Sequence, residues 1–426
     1  MITTPLRRSL ATPALRPALT AAAGFSSSAS KAPHFERRVF SGIQPTGMPH
    51  FGNFAGALSN WARLSAEYRH EAYPPQQSDG PLAHPSQLYC IVDLHSLTVP
   101  RRPGAPTPAE QTRDMAIGIL ASGVRAHGYD GPAGPSNPDV VLFCQSHLHE
   151  HSELTWLLTC QTPMGMLRRM TQWKDKWQSM NKATTETENL GQGDPENLLA
   201  GLMMYPVLMA ADVLAYRATE VPVGDDQRQH LELARELARM FNNSTKRTVF
   251  PPPRTVLPDL APGAARLMSL RDPTRKMSKS DPAAGSRLMI DDSPEDLRRK
   301  IARAVTDSEM GVTYEPDRRP GIANLLSIMA LCQNDLRTAA DLAAGVVHTP
   351  ESLARDLAHA GHAVLKQAVA DALCARMAPV HEEVSRLRAD PDLVDEILRM
   401  GAERARAIAR ETMVDARAAL GMLERW

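Results

Sequence analysis

The sequence has few cysteines, and none of them stand in a closely spaced pair. Its 426 residues contain five cysteines, and no two of these are separated by the two residues of a C-x-x-C motif. This scattering argues against a zinc site and against a disulfide framework, so no metal site is predicted. Isolated cysteines of this kind are typical of buried apolar positions in a protein of a reducing compartment.

The sequence also lacks a long apolar run and an excess of charge of one sign. No stretch of about 20 apolar residues occurs, so neither a membrane span nor a membrane partner is predicted. Lysine and arginine together number 48, as do aspartate and glutamate. Without the first 35 residues, which carry four basic and no acidic residues, the counts are 44 and 48, a net charge of −4. Contacts with nucleic acid therefore have to come from local basic patches.

The first 35 residues differ in composition from the rest of the chain. They are rich in alanine and serine and lack acidic residues, and their basic residues are Arg7, Arg8, Arg16 and Lys31. This composition is typical of an organellar transit peptide, so we expect residues 1–35 to be a cleaved leader. The alternative is an N-terminus that is merely disordered.

Short β-branched runs alternate with longer helical patterns through the first 300 residues. The predicted strands are residues 37–43, 88–95, 139–146 and 219–225. This alternation predicts a parallel sheet with helices packed on it, which is the α/β fold class. From Gly321 onward no strand pattern remains. We therefore predict an α/β domain over residues 36–225 that continues to about residue 290, and an all-helical region over residues 291–426.

The segment "QPTGMPHFGN", residues 44–53, is called the early turn below. It lies between the first predicted strand and a helical pattern, and a helix N-terminus at such a place is a ready anion site. Gly47 and Gly52 allow close approach of a ligand to the backbone, and His50 and Asn53 add polar side chains beside it. The segment is neither a P-loop nor a G-x-G-x-x-G motif, and taken alone such a segment is more often only a turn.

The segment "RKMSKSD", residues 275–281, is called the lysine loop below. Lys276 and Lys279 flank small and hydroxylated residues in it. Two ammonium groups suit a leaving pyrophosphate, because negative charge builds on its oxygens when the α-phosphate of a nucleotide is attacked. "HFGN" and "KMSKS", in this order, resemble the paired signatures of the class I aminoacyl-tRNA synthetases. The alternative is a solvated loop that happens to carry lysines.

The helical pattern over residues 203–216 carries one acidic residue on an apolar face. Tyr205, Met209 and Asp212 are four and three residues apart and lie on one side of the predicted helix. A buried aspartate needs a donor, and an indole N–H, which can only donate, would supply one. The alternative is an aspartate that is paired inside the fold or exposed.

Together with "FSGIQPTG", "IVDLH", "QSHLHEHSELTWLL", "MTQWKDK" and "VPVGDDQRQH", this helix is similar to the tryptophanyl-tRNA synthetase family from about Arg38 to the C-terminus. The resemblance implies a Rossmann-type catalytic domain that bears a helical anticodon-binding domain. It further implies activation of L-tryptophan with ATP and Mg²⁺, transfer to tRNA(Trp), and a homodimer. The leader and the bacterial-type motifs indicate the mitochondrial form, located in the matrix.

The resemblance also implies roles for single residues. The catalytic residues would be Lys276, Lys279, His50 and Asn53. The ATP-binding residues would be Gln44, Gly52, Asn53, Gly224, Asp225, Asp226, Lys276, Met277, Ser278, Lys279 and Ser280. Asp212 would accept the indole N–H, and the other residues of the tryptophan pocket would be Tyr205, Gln227, Met209, Phe40, Val221, Val223 and His95. The chain departs from the family pattern at Asp225, where glutamate is frequent, and at His50, where many bacterial members have threonine.

Three other functions remain open at this point. A tyrosyl-tRNA synthetase shares the fold, but would need a phenol-binding arrangement where the chain presents Met209 and Asp212. A synthetase-like regulator that charges no tRNA would be expected to have a broken signature, and both signatures are intact. A nucleotidyltransferase with a similar early turn is disfavoured by the lysine loop and the helical tail.

The C-terminal helical pattern carries arginines at a regular spacing. Arg399, Arg406, Arg410 and Arg417 are separated by 7, 4 and 7 residues and share one side of the predicted helix. The resemblance suggests a cationic stripe that holds the phosphates of a tRNA anticodon arm. The alternative is a solvated helix face on which these arginines pair with Glu403 and Glu411.

Overall fold

Five parallel strands form one sheet at the centre of the molecule. They are β1 (Val39–Ile43), β2 (Gln87–Ile91), β3 (Val140–Cys144), β4 (Glu220–Pro222) and β5 (Arg254–Val256), in the order β3-β2-β1-β4-β5. This is the strand order of a Rossmann-type sheet, so the predicted fold class is confirmed. The strands β1, β3 and β4 lie within the predicted segments, β2 begins one residue before its predicted segment, and β5 was not predicted.

The structure is a computed structural model that describes residues 35–67, 84–99, 101, 103–171, 173, 199–224, 227–256, 267–279, 281 and 283–423. Of the sequence predictions, residues 1–34 of the leader, Asp225, Asp226 and Ser280 lie outside the described residues. Within the described part of the chain, no helix has an apolar stretch long enough to cross a lipid bilayer.

Helices from the N-terminal part of the chain pack on both faces of the sheet. α1 (Phe51–Asn53) runs through a π-helical segment (Phe54–Leu58) into α2 (Ser59–Glu67). The helices that follow are α3 (Asp93–Ser96), α4 (Pro108–Ala121), α5 (Glu150–Thr159), α6 (Met164–Arg169), α7 (Ala200–Leu214) and α8 (Arg228–Thr245), with a 3₁₀ turn at Gln145–His147.

Helices make up the regular secondary structure described beyond residue 290, as predicted. They are α9 (Pro294–Ala302), α10 (Pro320–Asp335), α11 (Ala339–Ala343), α12 (Pro350–Asp356), α13 (His362–Ala389) and α14 (Pro391–Ala419). Residues at the start of these helices stabilise their first turns. Asp390, for example, accepts the backbone N–H of Leu393 and precedes Pro391, which is preorganised for a first helical position.

Both faces of the strands β2 and β3 are buried. Side chains along a strand alternate in direction, so successive residues enter two different cores. Tyr89 and Leu142 pack into one core, with residues of α4, α10 and α13. Leu88 and Phe143 point to the opposite side and pack with residues of α5, α7 and α8. Continuous apolar runs of this kind are expected where helices cover a parallel sheet on both sides.

The last helix, α14, packs against β3, the strand at one edge of the sheet. Gly401 lies so close to the strand that a Cβ built on it would be 2.0 Å from the carbonyl oxygen of Leu142. Ala405 and Ile408 of the same helix are buried in the core that also contains Phe143. The C-terminal helical region therefore covers one edge of the sheet, and a domain boundary at about residue 290 stays a prediction.

The arginines predicted to form a cationic stripe on α14 do not form a free surface. The Arg417 guanidinium contacts the carboxylate of Glu153 on α5 through two nitrogens, one of them Nε at 2.6 Å from Oε1. Arg406 donates to the carbonyl oxygen of His147 at 2.8 Å. The prediction of a stripe held open for tRNA is wrong for these two residues, because they join α14 to the sheet region.

The other two stripe arginines are exposed, but they also have acidic neighbours. Arg399 pairs with Glu396 and with Glu403 on its own helix. Arg410 lies 3.5 Å from the buried carboxylate of Glu150 on α5. The pairing with Glu403 is the one that the solvated-face alternative predicted.

Candidate active site

The early turn begins where β1 ends, at the carboxyl edge of the sheet. Ligands of open α/β sheets bind at this edge, next to the point where the strand order reverses. In this sheet that point lies between β1 and β4. Gly47 has a φ of +81°, a conformation that glycine adopts without a steric cost, and so it lets the chain reverse before α1.

His50 caps α1 with its side chain. Its Nδ1 accepts the backbone N–H groups of Gly52 at 3.0 Å and Asn53 at 3.3 Å, and the Asn53 side chain accepts the His50 N–H in return. Burial, together with the charges of Lys279 and Lys276, lowers the pKa of His50 to about 4. The imidazole is therefore neutral near pH 7, in agreement with an Nδ1 that accepts hydrogen bonds.

Gly52 can only be a glycine in this arrangement. A Cβ on it would lie 2.8 Å from Cε1 and 3.0 Å from Nδ1 of the His50 ring. The neighbouring backbone is also held in place, because the N–H of Phe51 donates to the carbonyl oxygen of Leu288 at 2.8 Å. A larger residue at position 52 would push the capping ring away from the helix N-terminus.

The lysine loop docks onto the early turn, although more than 200 residues separate the two in sequence. The Lys279 ammonium donates to the carbonyl oxygens of Thr46 at 3.2 Å and Gly47 at 3.0 Å, and to the Thr46 hydroxyl at 3.0 Å. Burial lowers the pKa of Lys279 to about 8, against the opposing effect of Asp114 and Asp291. The two predicted signature segments thus form one site.

The other residues of the lysine loop differ in exposure. Lys276 is exposed, and its charge acts on His50, whereas the Met277 side chain is buried in the core below the loop. Ser278 is half-buried. Met277 thus anchors the loop while the two lysines stay beside the early turn.

A second group of predicted residues surrounds Asp212 on α7. Asp212 is 2% exposed, and its Oδ2 lies 2.9 Å from Nε2 of His95 on α3. The His95 ring contacts the edge of the Tyr205 ring, with centroids 6.2 Å apart. Tyr205 and Asp212 therefore lie on the same side of α7, as their spacing predicted.

Phe40 of β1 and Val221 of β4 are buried in the same core as Tyr205, and Val223 packs against that core. Met209 is half-buried on α7. Gln227 starts α8, and its backbone N–H donates to the carbonyl oxygen of the exposed Gly224 at 3.0 Å. Gln44 is half-buried at the start of the early turn.

Asp212 already has donors from the protein, as the alternative of an aspartate paired inside the fold predicted. Its Oδ1 accepts from the Gln145 amide at 2.6 Å and lies 2.7 Å from Nδ1 of His151. Burial alone would raise the pKa of the Asp212 carboxyl, but hydrogen bonds from His151 and His95 bring it below its usual value. The carboxylate is therefore ionised at neutral pH, and its burial does not by itself require a ligand.

Three residues of this site were missed at the sequence level: Gln145, His151 and Tyr216. Gln145 follows β3 directly, and polar residues at the carboxyl end of a buried strand are a signal that could have found it. His151 and Tyr216 carry no such signal, because neither directly follows a predicted strand.

Among the described residues, no group of three or more histidine, cysteine, aspartate or glutamate side chains is placed to hold a metal ion. The charged groups beside the early turn are instead the two lysines of the lysine loop. Such a set suits an anion that carries several negative charges.

The arrangement of sheet, early turn and lysine loop is that of a class I aminoacyl-tRNA synthetase. A sequence model of the family described as "tRNA synthetases class I (W and Y)" matches residues 33–366. The chain belongs to this family, and it is therefore an aminoacyl-tRNA ligase.

Within the family, the chain is similar to proteins named for one amino acid. It is 37% identical over 388 residues to a tryptophan–tRNA ligase of Clostridium perfringens, covering 91% of this chain and 98% of that protein. It is 36% identical over 378 residues to a mitochondrial tryptophan–tRNA ligase of Schizosaccharomyces pombe, covering 88% of this chain and 93% of the relative.

Two solved structures are also similar to the chain. Tryptophanyl-tRNA synthetase from Mycoplasma pneumoniae matches with a TM-score of 0.69 and 28% identity, covering 91% of this chain and 99% of that one. The enzyme from Campylobacter jejuni, solved with ADP and tryptophan, matches with a TM-score of 0.63 and 25% identity, covering 90% and 100% of the two chains.

Proposed function

We propose that this protein activates L-tryptophan with ATP and transfers it to tRNA(Trp) for mitochondrial translation. The observation that carries the proposal is the contact of Lys279 with Thr46 and Gly47, because it joins the two signature segments into one anion site. The Asp212 group lies on α7, and the core around it includes residues of β1 and β4, the strands that flank the anion site. Phosphates would therefore bind at the early turn and the lysine loop, and an aromatic side chain with a ring N–H would bind beside Asp212.

In the first step, a carboxylate oxygen of tryptophan attacks the α-phosphorus of ATP. The bond between the α-phosphorus and the bridging oxygen breaks, and pyrophosphate leaves with tryptophanyl-adenylate as the product. In the second step, a hydroxyl of the terminal ribose of the tRNA attacks the carbonyl carbon of the adenylate, and AMP leaves. Neither step needs a protein nucleophile, so catalysis rests on positioning and on stabilisation of phosphate charge.

The lysine loop supplies that charge stabilisation. Lys279 is held against the early turn, and Lys276 is exposed beside it, so both ammonium groups can face the phosphates. The positive end of the helix that begins with α1 lies in the same region, while its first N–H groups donate to His50 and Leu288. The contacts of the two ammonium groups strengthen as negative charge develops on the leaving pyrophosphate.

Mg²⁺ would enter this site with ATP. The described residues offer no carboxylate cage for it, whereas phosphate oxygens are ligands that Mg²⁺ prefers. When bound, the ion would neutralise part of the charge on the phosphates. The chain's own contribution is to hold those phosphates between the early turn and the lysine loop.

Tryptophan specificity rests on the Asp212 carboxylate. An ionised carboxylate only accepts hydrogen bonds, which matches the indole N–H, a group that only donates. Phe40 and Val221 would wall the ring, and Tyr205 and Gln227 would hold the substrate ammonium.

The deciding measurement is pyrophosphate exchange into ATP that depends on the added amino acid. Purified protein should catalyse exchange with L-tryptophan and at least about 100-fold less with L-tyrosine, since sites built around one polar group discriminate strongly. Exchange with tyrosine at the same rate, or no exchange with any amino acid, would contradict the proposal. Aminoacylation of tRNA(Trp) tests the second step in the same preparation.

The mitochondrial location is supported by the basic, serine-rich leader and by the similarity to the fission yeast mitochondrial enzyme. A fusion of residues 1–40 to a fluorescent protein should accumulate in mitochondria. The matched control replaces Arg7, Arg8 and Arg16 by glutamine. A fusion that stays in the cytosol would contradict the matrix location.

The homodimer is supported by large apolar side chains that are exposed on one protomer. They lie in the part of the sequence that runs from the end of α3 to the start of α6. Leu97, Trp156 and Met164 are 62%, 67% and 52% exposed. A second copy would give such side chains apolar surface to pack against. Light scattering after gel filtration should give twice the mass of one chain, and Trp156→Glu should shift it towards the monomer.

A further inference from the structure

Asp212 is held by a set of donors that reaches it from three different parts of the chain. His95 on α3 contacts Oδ2, and Gln145 and His151, which follow β3, contact Oδ1. All four side chains are at most 5% exposed. A carboxylate has about four acceptor positions, and the described donors use three of them. The remaining position is on Oδ2, the oxygen that His95 contacts.

The amide of Gln145 has a defined orientation. Its Oε1 accepts the backbone N–H of Leu94 at 3.0 Å, and Leu94 neighbours His95 in α3. The NH₂ group is therefore the end that faces Asp212 and donates to it. Gln145 thus ties the position of the carboxylate to the helix that carries His95.

The proton positions on His151 follow from its two neighbours. Asp212 is ionised and only accepts, so Nδ1 of His151 carries a hydrogen and donates to Oδ1 at 2.7 Å. Nε2 lies 2.6 Å from the hydroxyl of Tyr216, and burial raises the pKa of Tyr216 well above its usual value. Tyr216 therefore keeps its proton, and when His151 is neutral the Tyr216 hydroxyl donates to Nε2, so that the chain of donors runs from Tyr216 through His151 to Asp212.

Tyr216 also touches the wall of the same pocket. Its ring stacks on Phe40 with centroids 5.5 Å apart and 14° between the ring planes. One side chain therefore supports both the apolar wall and the donor that holds the carboxylate. Tyr216, like His151, is fully buried.

We propose that His151, oriented by Tyr216, is a positioning residue that fixes the Asp212 carboxylate so that Oδ2 accepts a ring N–H from the substrate. The pair thereby determines the preference for an aromatic amino acid with such a donor. The inference rests on the proposed function and adds to it residues that do not touch the substrate. Without the His151 donor, Oδ1 is held by Gln145 alone, so the carboxylate is less firmly restrained and can rotate away from the ring N–H.

The experiment compares two substrates that differ only in the ring donor. L-tryptophan carries the N–H, and L-β-(benzothiophen-3-yl)alanine has a sulfur in its place. Exchange kinetics are measured for wild type, His151→Leu and Tyr216→Phe, the latter removing one oxygen while keeping the ring that stacks on Phe40. His151→Gln, which can still donate to Asp212, is the conservative variant.

In His151→Leu, we expect kcat/KM for tryptophan to fall by roughly 10- to 100-fold, the range for a lost hydrogen bond to a charged group. The value for the benzothiophene analogue should change by less than about threefold, because that substrate makes no use of Oδ2 as an acceptor. Tyr216→Phe should also lower kcat/KM for tryptophan more than kcat/KM for the analogue. His151→Gln should keep part of the preference for tryptophan that His151→Leu loses.

A fall by the same factor for both substrates in His151→Leu and Tyr216→Phe would mean that the pair is only structural, and would overturn the inference. Unchanged kinetics in both variants would overturn it as well. Either result leaves the proposed function standing as long as the wild type exchanges with tryptophan. A wild type without tryptophan-dependent exchange would instead overturn the proposed function, and this inference with it.

Discussion

Lys279 combines a buried ammonium with neighbours of both signs. Its pKa of about 8 follows from burial, which is only partly offset by Asp114 and Asp291. The folded protein therefore carries the positive charge below about pH 8 and loses it as the pH rises through that value. An unshifted lysine would keep its charge to about pH 10.

We predict that kcat/KM for ATP in the exchange reaction falls on the alkaline side with an apparent pKa near 8. Lys279→Arg should move that limb upward, because arginine stays protonated over the whole range, although the rate itself should drop as the geometry changes. The measurement is a pH profile of both proteins between about pH 6.5 and 9.5 at fixed ionic strength. An alkaline limb that is the same in both would assign it to another group.

At the residue scale, the sequence indicates which side chains are candidates for binding and catalysis, but it does not indicate their hydrogen-bond partners. The spacing of Tyr205 and Asp212 was enough to put them on one side of a helix, and the structure confirms it. The donors to Asp212 could not be read from the same pattern. Gln145 and His151 reach it only because β3 and α5 pack beside α7, which is a tertiary contact.

At the scale of elements, the docking of α14 onto β3 depends on one glycine. Gly401 sits against Leu142 with no room for a side chain, since an added Cβ would meet the carbonyl oxygen at 2.0 Å and the carbonyl carbon at 2.8 Å. A backbone atom cannot move aside as a flexible side chain can. The helix would have to shift away from the strand.

We predict that Gly401→Ala lowers the free energy of unfolding by about 1–3 kcal/mol, the usual cost of overpacking. Gly201→Ala is the matched control, because Gly201 also lies in a helix and an added Cβ there meets nothing within 4 Å. The control should be neutral or slightly stabilising, since alanine favours a helix over glycine. The free energy of unfolding of both variants is measured by urea denaturation. Equal stability of Gly401→Ala and Gly201→Ala would show that α14 adjusts without cost.

The elements themselves differ in how far they could be predicted. The three longest strands, β1 to β3, are mostly apolar, and each overlaps its predicted segment, with β2 beginning one residue earlier. β5 has only three residues and follows three prolines, so its segment shows no strand pattern. Arg406 and Arg417 of α14 were assigned to the wrong partner, because a charged helix face does not reveal whether it meets solvent, nucleic acid or another part of the chain.

For the whole molecule, the two cores on either side of the sheet are linked by shared strands and by α14. Each core contains a buried tryptophan: Trp61 lies in the core with Tyr89, and Trp173 in the core with Phe143. α14 contributes Ile397 to the first core and Ile408 to the second. Loss of either core should therefore loosen the other.

We predict that the two cores unfold in one transition. Variants that keep only Trp61 or only Trp173, with the other tryptophans replaced by phenylalanine, should show the same urea midpoint by fluorescence, and this midpoint should agree with that from circular dichroism. The far-ultraviolet signal of each variant before unfolding serves as the control for folding. Midpoints that differ between the two reporters would show that the two sides of the sheet unfold independently.

The order in which this chain is synthesised adds a consequence to the position of α14. β3 ends at Cys144, whereas the helix that covers its edge begins only at Pro391 and therefore leaves the ribosome much later. Until then the unpaired backbone groups of β3 are open to pairing with other chains, which is a route to aggregation. Nascent chains that stop before residue 391 should therefore depend on chaperones far more than the full-length protein does.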